Sequence, residues 1–150
     1  MTPSFSSLDE RFMRRALEEA QLAFDEGEIP IGAVITDGKS VIASAHNMVE
    51  RLCDISAHAE MIALSAASLH FRSKYLPQCT LYVTIEPCAM CMGALRWSQI
   101  GRIVFGAEDT KAGYKRFQTG IEHPKAIVES GLLADEAAAL MRSFFAARRR

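Results

Sequence analysis

The sequence predicts a three-layer α/β/α fold in which a mixed five-stranded sheet begins with an antiparallel hairpin and carries helices on both faces. Two short apolar runs, residues 31–36 and 41–45, flank an Asp-Gly pair that is typical of a hairpin turn. A strand, a helix and a strand follow within residues 80–105, which predicts a parallel crossover. Near both ends of the chain, apolar residues recur at helical spacing.

The other elements follow from local patterns in chain order. Residues 7–24 have helical periodicity, with Ser7 and Glu10 at the spacing of a capping box and Gly27 as the terminator. After the hairpin we predict a helix over 57–67, a strand over 80–84, a helix over 88–97, strands over 102–105 and around 126–128, and a helix over 135–147. The last helix would bury one apolar stripe made of Leu140, Met141, Phe144 and Phe145.

Length and composition indicate one compact domain over residues 1–150, with 49% hydrophobic and 23% charged residues. No apolar run approaches the about 20 residues of a membrane span, and the N-terminal residues lack the order of a signal peptide. We therefore expect a cytoplasmic protein without membrane contact. Four cysteines in such a protein favour thiols or metal ligands over disulfides.

The formal net charge of −1 provides no overall positive field for a nucleic acid. Charge is uneven, however, because residues 99–150 contain nine Lys or Arg against six Asp or Glu. Any contact with RNA phosphates is expected in this C-terminal third. The basic tail, residues 148–150, is either such a contact or a frayed helix end that complements the helix dipole.

Two short motifs indicate chemistry: His58 and Glu60 in HAE, and Cys88 and Cys91 in PCAMC. Alone, the first occurs by chance in many proteins, and the second could be half of a zinc finger or a redox pair. Both motifs stand at predicted helix starts, where the helix dipole lowers the pKa of a thiol. Three ligands leave a fourth position for water, as in catalytic zinc sites. Glu60 lies on a different helix face from His58 and is therefore expected to move protons rather than bind metal.

With these motifs the chain resembles the cytidine-deaminase-like zinc deaminases, and within them the bacterial tRNA-specific adenosine deaminases that act on the wobble base of the anticodon. The resemblance covers the segments IPIGAVI, AHAEMIAL, LYVTIEPCAMCMGA, IGRIVFGAED and GLLADEAAALMRSFFAARR. It implies the cytidine deaminase-like fold, one Zn²⁺ per chain on His58, Cys88 and Cys91, a homodimer, and a tRNA anticodon stem-loop as substrate. It also implies that Glu60 takes a proton from zinc-activated water and passes protons to the base and to the leaving ammonia.

The same resemblance implies the contacts with substrate. Asn47 matches the residue that hydrogen-bonds the flipped nucleotide, and Asp109 and Lys111 match positions along the approach of the nucleic acid. The backbone of Ala59 and the carbonyl near Glu86-Pro87 would hold the amino group. The full set of expected substrate-binding residues is Asn47, Ala59, Pro30, Glu86, Pro87, Asp109, Lys111 and Phe145.

Three other hypotheses remain open. The segment GYKRFQTGIEHPK departs from the Gly-Ser-rich stretch, Asp and paired His of the tRNA enzymes, which favours a free base or nucleoside such as guanine, cytosine or cytidine as substrate. Cys88 and Cys91 could form a thioredoxin-like redox pair, because their CxxC follows a strand and opens a helix. A catalytically silent RNA-binding protein is the last alternative, and the intact Glu60 argues against it.

Several residues have simpler expected roles. Cys53 and Cys79 are predicted to be bystanders, and His46 and His70 to be surface or hydrogen-bonded histidines rather than ligands. Trp97 is expected to pack against the sheet or against a dimer partner.

Overall fold

A computed structural model of the protein describes residues 4–117 and 120–148 and confirms the three-layer architecture. Along the chain the elements are α1 (Ser7–Asp25), β1 (Gly32–Thr36), β2 (Val41–His46), α2 (Val49–Leu52), α3 (Ala59–Phe71), β3 (Thr80–Ile85), α4 (Ala89–Ser98), β4 (Arg102–Ala107), α5 (Tyr114–Phe117), β5 (Ile127–Ser130) and α6 (Ala134–Arg148). The strands form one mixed sheet in the order β2-β1-β3-β4-β5. Within the described part of the chain, no helix is long and apolar enough to cross a membrane.

Both predicted strand relationships are confirmed. β1 pairs antiparallel with β2, and between them the Asp37 carboxylate accepts hydrogen bonds from the backbone N–H groups of Lys39 (2.9 Å) and Ser40 (2.8 Å). Gly38 adopts a φ of +95°, a left-handed conformation in which glycine avoids the strain of a side chain. β3 and β4 run parallel, with α4 as the crossover helix between them.

Alternate side chains of each central strand pack on opposite helical layers, as the two-residue period of a strand requires. On β1, Ala33 and Ile35 join the cluster that contains residues of α3 and α4. Val34, between them, joins a second cluster with Phe12 and Met13 of α1. The sheet is therefore covered on both faces, and the connections after β2 and β3 carry α3 and α4 to the same face.

The capping box of α1 lies one residue earlier than predicted. Ser6, not Ser7, is the N-cap, and its hydroxyl accepts a 3.0 Å hydrogen bond from the backbone N–H of Asp9. The Asp9 carboxylate accepts a 3.0 Å hydrogen bond from the Ser6 N–H in return. Asp9 also binds Arg102 of β4. This contact between residues distant in sequence favours Asp9 as the third residue of α1, and hence Ser6 as its N-cap. Near the other end, Gly27 has a φ of +79°, as expected of a helix terminator.

Three further expectations about local structure were wrong. The helix predicted from residue 57 begins at Ala59, and the single turn α2 was not predicted because it buries no residue and has no periodic pattern. For Trp97, which is 79% exposed, only packing against the sheet is wrong, and packing against a dimer partner stays a prediction. Phe145 is exposed whereas Phe144 is buried, because adjacent residues of a helix point about 100° apart.

Candidate active site

The three predicted metal ligands meet beyond the carboxyl end of β3. His58 is the N-cap of α3, Cys88 is the N-cap of α4, and Cys91 lies in the first turn of α4. The Nδ1 atom of His58 lies 3.6 Å from the Sγ of Cys88 and 3.4 Å from the Sγ of Cys91. All three ligand atoms lie within 4.8 Å of one another, so one ion can contact them together.

The electrostatics of this group favour a divalent cation. Hydrogen bonding from Cys91 and His58 lowers the pKa of Cys88 to about 4, so Cys88 is a thiolate at neutral pH. The adjacent Cys88 thiolate, together with burial, raises the pKa of Cys91. A cation between the sulfurs removes this repulsion and allows both to ionise.

The donor set fits zinc. Two sulfurs and one imidazole nitrogen are ligands that zinc prefers. Among the described residues, no further His, Cys, Asp or Glu belongs to the group formed by His58, Cys88 and Cys91. This set of three leaves the open coordination position of a catalytic site rather than the closed set of a structural one.

Glu60 lies beside the ligands, in the first turn of α3. Its side chain is buried, and its Oε1 atom is inaccessible and has no hydrogen-bond partner among the described residues. Burial raises the pKa of Glu60 to about 7. A buried carboxyl oxygen without a partner is costly, but a raised pKa suits a group that must both accept and donate a proton near neutral pH.

Asn47 and Pro30 lie on the side of the site formed by the hairpin. The Asn47 backbone N–H donates to the carbonyl of Ile31 (3.2 Å), and its Oδ1 accepts from the backbone N–H of Ala59 (2.8 Å). The Nδ2 group of Asn47 has no hydrogen-bond partner within the described ranges. Of the polar groups expected to meet substrate here, the Ala59 N–H is thus already satisfied, and the Nδ2 of Asn47 remains available.

Glu86 and Pro87 connect the end of β3 to the ligand Cys88. The Pro87 carbonyl accepts a 2.8 Å hydrogen bond from the backbone N–H of Tyr114. The buried Glu86 carboxylate accepts 3.1 Å hydrogen bonds from the backbone N–H groups of Asp109 and Lys115. This organising role of the Glu86 side chain was not predicted, because its partners lie 23 and 29 residues away in the sequence.

The loop that Glu86 organises carries two of the expected substrate residues, Asp109 and Lys111. The Asp109 carboxylate accepts 3.0 Å hydrogen bonds from the backbone N–H groups of Lys111 and Ala112, which fixes the turn between them. A cleft of about 420 Å³ opens here, lined by Glu86, Glu108, Asp109, Thr110, Lys115 and Arg116.

Phe145 and Arg148 lie on the last turns of α6. Phe145 packs edge-on against Phe144, which in turn contacts Phe24 of α1. The Arg148 guanidinium lies 4.2 Å from the centre of the Phe144 ring and donates a 2.6 Å hydrogen bond to the carbonyl of Gly27. Arg148 therefore attaches α6 to the turn after α1, and the rest of the predicted basic tail, residues 149–150, lies outside the described residues.

His46, Cys53 and Cys79, which were not expected to bind metal, lie outside the group of His58, Cys88 and Cys91. His46 hydrogen-bonds two carboxylates, Glu19 through Nδ1 (2.8 Å) and Glu26 through Nε2 (3.2 Å). Cys53 is exposed and Cys79 is buried in the core, and both are free thiols.

Comparisons with known proteins agree with this geometry. The model of a family described as "Cytidine and deoxycytidylate deaminase zinc-binding region" matches residues 6–107. A tRNA-specific adenosine deaminase of Aquifex aeolicus is 49% identical over 104 residues, which cover 69% of this chain and 69% of the relative.

Two solved structures share the fold. One comes from biochemical and structural studies of A-to-I editing by tRNA:A34 deaminases at the wobble position; it is 38% identical, with a TM-score of 0.80, and the match covers 87% of this chain and 98% of that one. The other is a guanine deaminase from Nitrosomonas europaea, 28% identical with a TM-score of 0.82, matched over 97% of this chain and 87% of its own.

Proposed function

Because the chain belongs to the cytidine and deoxycytidylate deaminase zinc-binding family and is a zinc-dependent hydrolytic deaminase, we propose that its substrate is the wobble adenosine of tRNA, which it converts to inosine. The observation that carries the chemistry is the group of three ligand atoms within 4.8 Å beside the buried Glu60. The assignment of the substrate is supported by the adenosine deaminase of Aquifex aeolicus and by the tRNA:A34 deaminase structure.

In this proposal His58, Cys88 and Cys91 hold one Zn²⁺. The ion supplies Lewis acidity that makes water a usable nucleophile near neutral pH. Glu60 takes a proton from the attacking water and gives it to the ring nitrogen next to the reacting carbon. It then takes the remaining proton of that water from the new hydroxyl group and passes it to the exocyclic amino group, so that the C–N bond breaks, ammonia leaves and a carbonyl group remains on the ring. Burial, which raises the pKa of Glu60, favours both steps near neutral pH.

The walls of the site hold the base and the neighbouring nucleotides. We assign the orientation of the base to Asn47, whose Nδ2 can donate to an acceptor on the nucleotide, and to the adjacent Pro30. We assign the exocyclic amino group to the backbone carbonyl near Glu86-Pro87; the Pro87 carbonyl accepts a 2.8 Å hydrogen bond from the Tyr114 N–H and has a second lone pair for such a contact. Asp109 and Lys111, on the loop held by Glu86, and Phe145, on α6, are assigned to the flanking RNA.

Mass spectrometry tests the substrate directly. Zinc-loaded protein is incubated with a synthetic tRNA anticodon stem-loop and, separately, with adenosine, guanine, cytosine and cytidine. We expect inosine at the wobble position alone, with release of ammonia, and no product with Glu60→Gln. Conversion of a free base or nucleoside without reaction of the stem-loop would refute the tRNA proposal and leave the zinc chemistry in place.

Deamination of a free base, with guanine as the first choice, is the second candidate. It is supported by the likeness to the Nitrosomonas guanine deaminase over 97% of this chain. It is also supported by the segment GYKRFQTGIEHPK, which departs from the pattern of the tRNA enzymes and whose Lys115 and Arg116 line the cleft. The two candidates share the ligands and Glu60. Xanthine from guanine, in the same experiment, would identify this activity.

We further propose that the protein is a cytoplasmic single-domain chain that works as a homodimer. The largest cluster of buried apolar side chains extends from Ala33 to Tyr114, which supports one domain. Trp97, 79% exposed on α4, is an apolar side chain suited to an interface. Light scattering coupled to size exclusion should give twice the chain mass, and Trp97→Ser should shift the protein towards monomer.

A further inference from the structure

Glu28 is a buried carboxylate in the short connection between α1 and β1, and none of the chemistry described above uses it. It is 2% exposed. Its Oε1 accepts a 3.0 Å hydrogen bond from the backbone N–H of Glu50, and its Oε2 accepts one of 2.8 Å from the N–H of Arg51. Helix N-termini have N–H groups without partners inside the helix, and a buried carboxylate needs donors. The Glu28 carboxylate therefore provides acceptors for two N–H groups of α2, and these N–H groups provide the donors that the buried carboxylate needs.

The segment that Glu28 holds, residues 48–57, has few other anchors. Its helical turn, α2, buries no residue, and the N-cap residue Met48 makes no side-chain capping bond. Arg51 also contacts Glu26 at 3.2 Å, but both side chains are exposed enough that this ion pair contributes little. Ala57 is buried at the end of the segment, but α2 itself buries no residue, so the two hydrogen bonds to Glu28 are the contacts that hold α2 on the body of the protein.

The segment 48–57 connects two residues of the candidate site. Asn47 precedes it directly and His58 follows it directly. Glu28 is itself two residues before Pro30, and the carbonyl of Ile31 accepts the Asn47 N–H. One carboxylate thus joins the two stretches of chain that carry Pro30 and Asn47.

We propose that Glu28 is a positioning residue for substrate: it sets the spacing between the Pro30 and Asn47 walls of the pocket without contacting the reacting atoms. This inference rests on the proposed function only in that Asn47 meets the substrate. Two of the three ligands, Cys88 and Cys91, come from α4, far from this segment in sequence, and the third, His58, follows the segment but caps α3, which packs in the core through its own buried residues. Loss of the Glu28 contacts should therefore weaken substrate binding more than zinc binding or chemistry.

The test variant is Glu28→Gln, which keeps the size of the side chain but places an amide NH₂ group against one of the two backbone N–H donors. The matched control is Glu50→Gln, on the same segment with an exposed side chain. We expect Glu28→Gln to raise KM about tenfold, with kcat within about threefold of wild type and one zinc per chain. A tenfold rise in KM corresponds to about 1.4 kcal/mol of lost binding free energy. The control should match wild type.

Amide hydrogen exchange provides a readout that does not depend on activity. In Glu28→Gln, peptides covering residues 48–57 should exchange faster, while peptides of α4 should not change. Glu28→Asp, which keeps two acceptor oxygens on a shorter side chain, should be intermediate in KM and in exchange, and it takes the place of Glu28→Gln if that variant does not fold.

The outcomes separate the two proposals. An unchanged KM in Glu28→Gln would overturn the positioning role, even if residues 48–57 exchange faster. A fall in kcat with equal loss of zinc would also overturn it, because Glu28 would then act on the whole fold. If wild type deaminates none of the substrates, the proposed function fails, and unchanged exchange in residues 48–57 would by itself refute the anchoring by Glu28.

Discussion

The side-chain oxygen of Asn47 accepts a 2.8 Å hydrogen bond from the backbone N–H of Ala59, the first residue of the helix that His58 caps. This bond locks the end of β2 to the start of α3. A residue expected to orient substrate and a residue expected to hold the metal are therefore fixed relative to each other. The bond also uses the oxygen of Asn47, which leaves its NH₂ group for the base.

Glu60→Gln should abolish catalysis while leaving the metal site intact. The amide has the shape of the carboxyl group but cannot take and return a proton, so kcat should fall by about 10²–10⁴-fold. Zinc content should remain one per chain, because Glu60 is not one of the ligands. Single-turnover deamination and elemental analysis measure the two quantities. Activity within a few-fold of wild type would rule out proton transfer by Glu60.

Cys88→Ser and Cys91→Ser should each lose zinc, whereas Cys53→Ser should not. Removing one of three ligands deprives the ion of a thiolate, while Cys53 is exposed and outside the group. Atomic absorption after dialysis against a mild chelator measures the difference. Activity of the wild-type protein should disappear with a strong chelator and return with added Zn²⁺. Full zinc in either ligand variant would exclude that cysteine from the site.

Stability should depend on His46 in a pH-dependent manner. Burial lowers the pKa of His46, but hydrogen bonds to Glu19 and Glu26 outweigh this effect, so its pKa is raised above the ordinary value of about 6.5. A raised pKa stabilises the folded state fully below pH 6.5, and this contribution is lost as pH rises through the folded-state pKa.

The His46→Gln variant should therefore be destabilised relative to wild type at pH 5.5, by an amount that shrinks by pH 8.5. Urea unfolding at both values measures it. The control is His70→Gln, whose side chain is exposed. A difference that grows with pH would show that the two carboxylates do not hold an imidazolium.

Asp9→Asn should destabilise the fold without changing the active site. The Asp9 carboxylate binds Arg102 at 2.8 Å and accepts a 2.6 Å hydrogen bond from Tyr82, and the Arg102 guanidinium holds the pKa of Asp9 well below its usual range. Losing this charge should cost about 2 kcal/mol at neutral pH. The exposed Asp25, also on α1, provides the control Asp25→Asn.

The pH dependence of the Asp9 effect has the opposite sign to that of His46. A lowered pKa stabilises the folded state above the unfolded-state value of about 3.9, and the contribution is lost as pH falls below it. Thermal unfolding at pH 7 and pH 3 should show the difference between wild type and Asp9→Asn shrinking at the lower pH. An equal difference at both values would contradict the ion pair.

Gly113→Ala should damage the loop that Glu86 organises. A methyl group at Gly113 would collide with the Glu86 carboxylate and with the Asp109 carbonyl. The collision would displace the backbone groups that Glu86 binds, so we expect at least about a tenfold loss in kcat/KM on the stem-loop. The matched control is Gly93→Ala on α4, where the added methyl group meets nothing within 4 Å. Equal kinetics for the two variants would show that this loop does not serve catalysis.

Local patterns in the sequence were sufficient for the main helices and strands and for the metal ligands, but not for the turn α2 or for the exact ends of α1 and α3. The Asp37-Gly38 turn, the period of α1 and the crossover from β3 to β4 each depend on residues close together in the chain, where backbone preferences and spacing act directly. The group of His58, Cys88 and Cys91 was also predicted, because two short motifs combine residue types that few other functions require together. Proton transfer by Glu60 stays a prediction.

The tertiary structure alone decided how the pocket is held. Asp9 takes its place in the capping box while bound to a strand 93 residues away, and Glu28 and Glu86 bind loops more than 20 residues distant. No local pattern encodes such pairings, because a buried carboxylate accepts any backbone N–H that folding brings within reach. The sequence by itself determined which residues form the group that can hold the metal, and the packing of helices on the sheet determined which buried carboxylates bind the neighbouring segments.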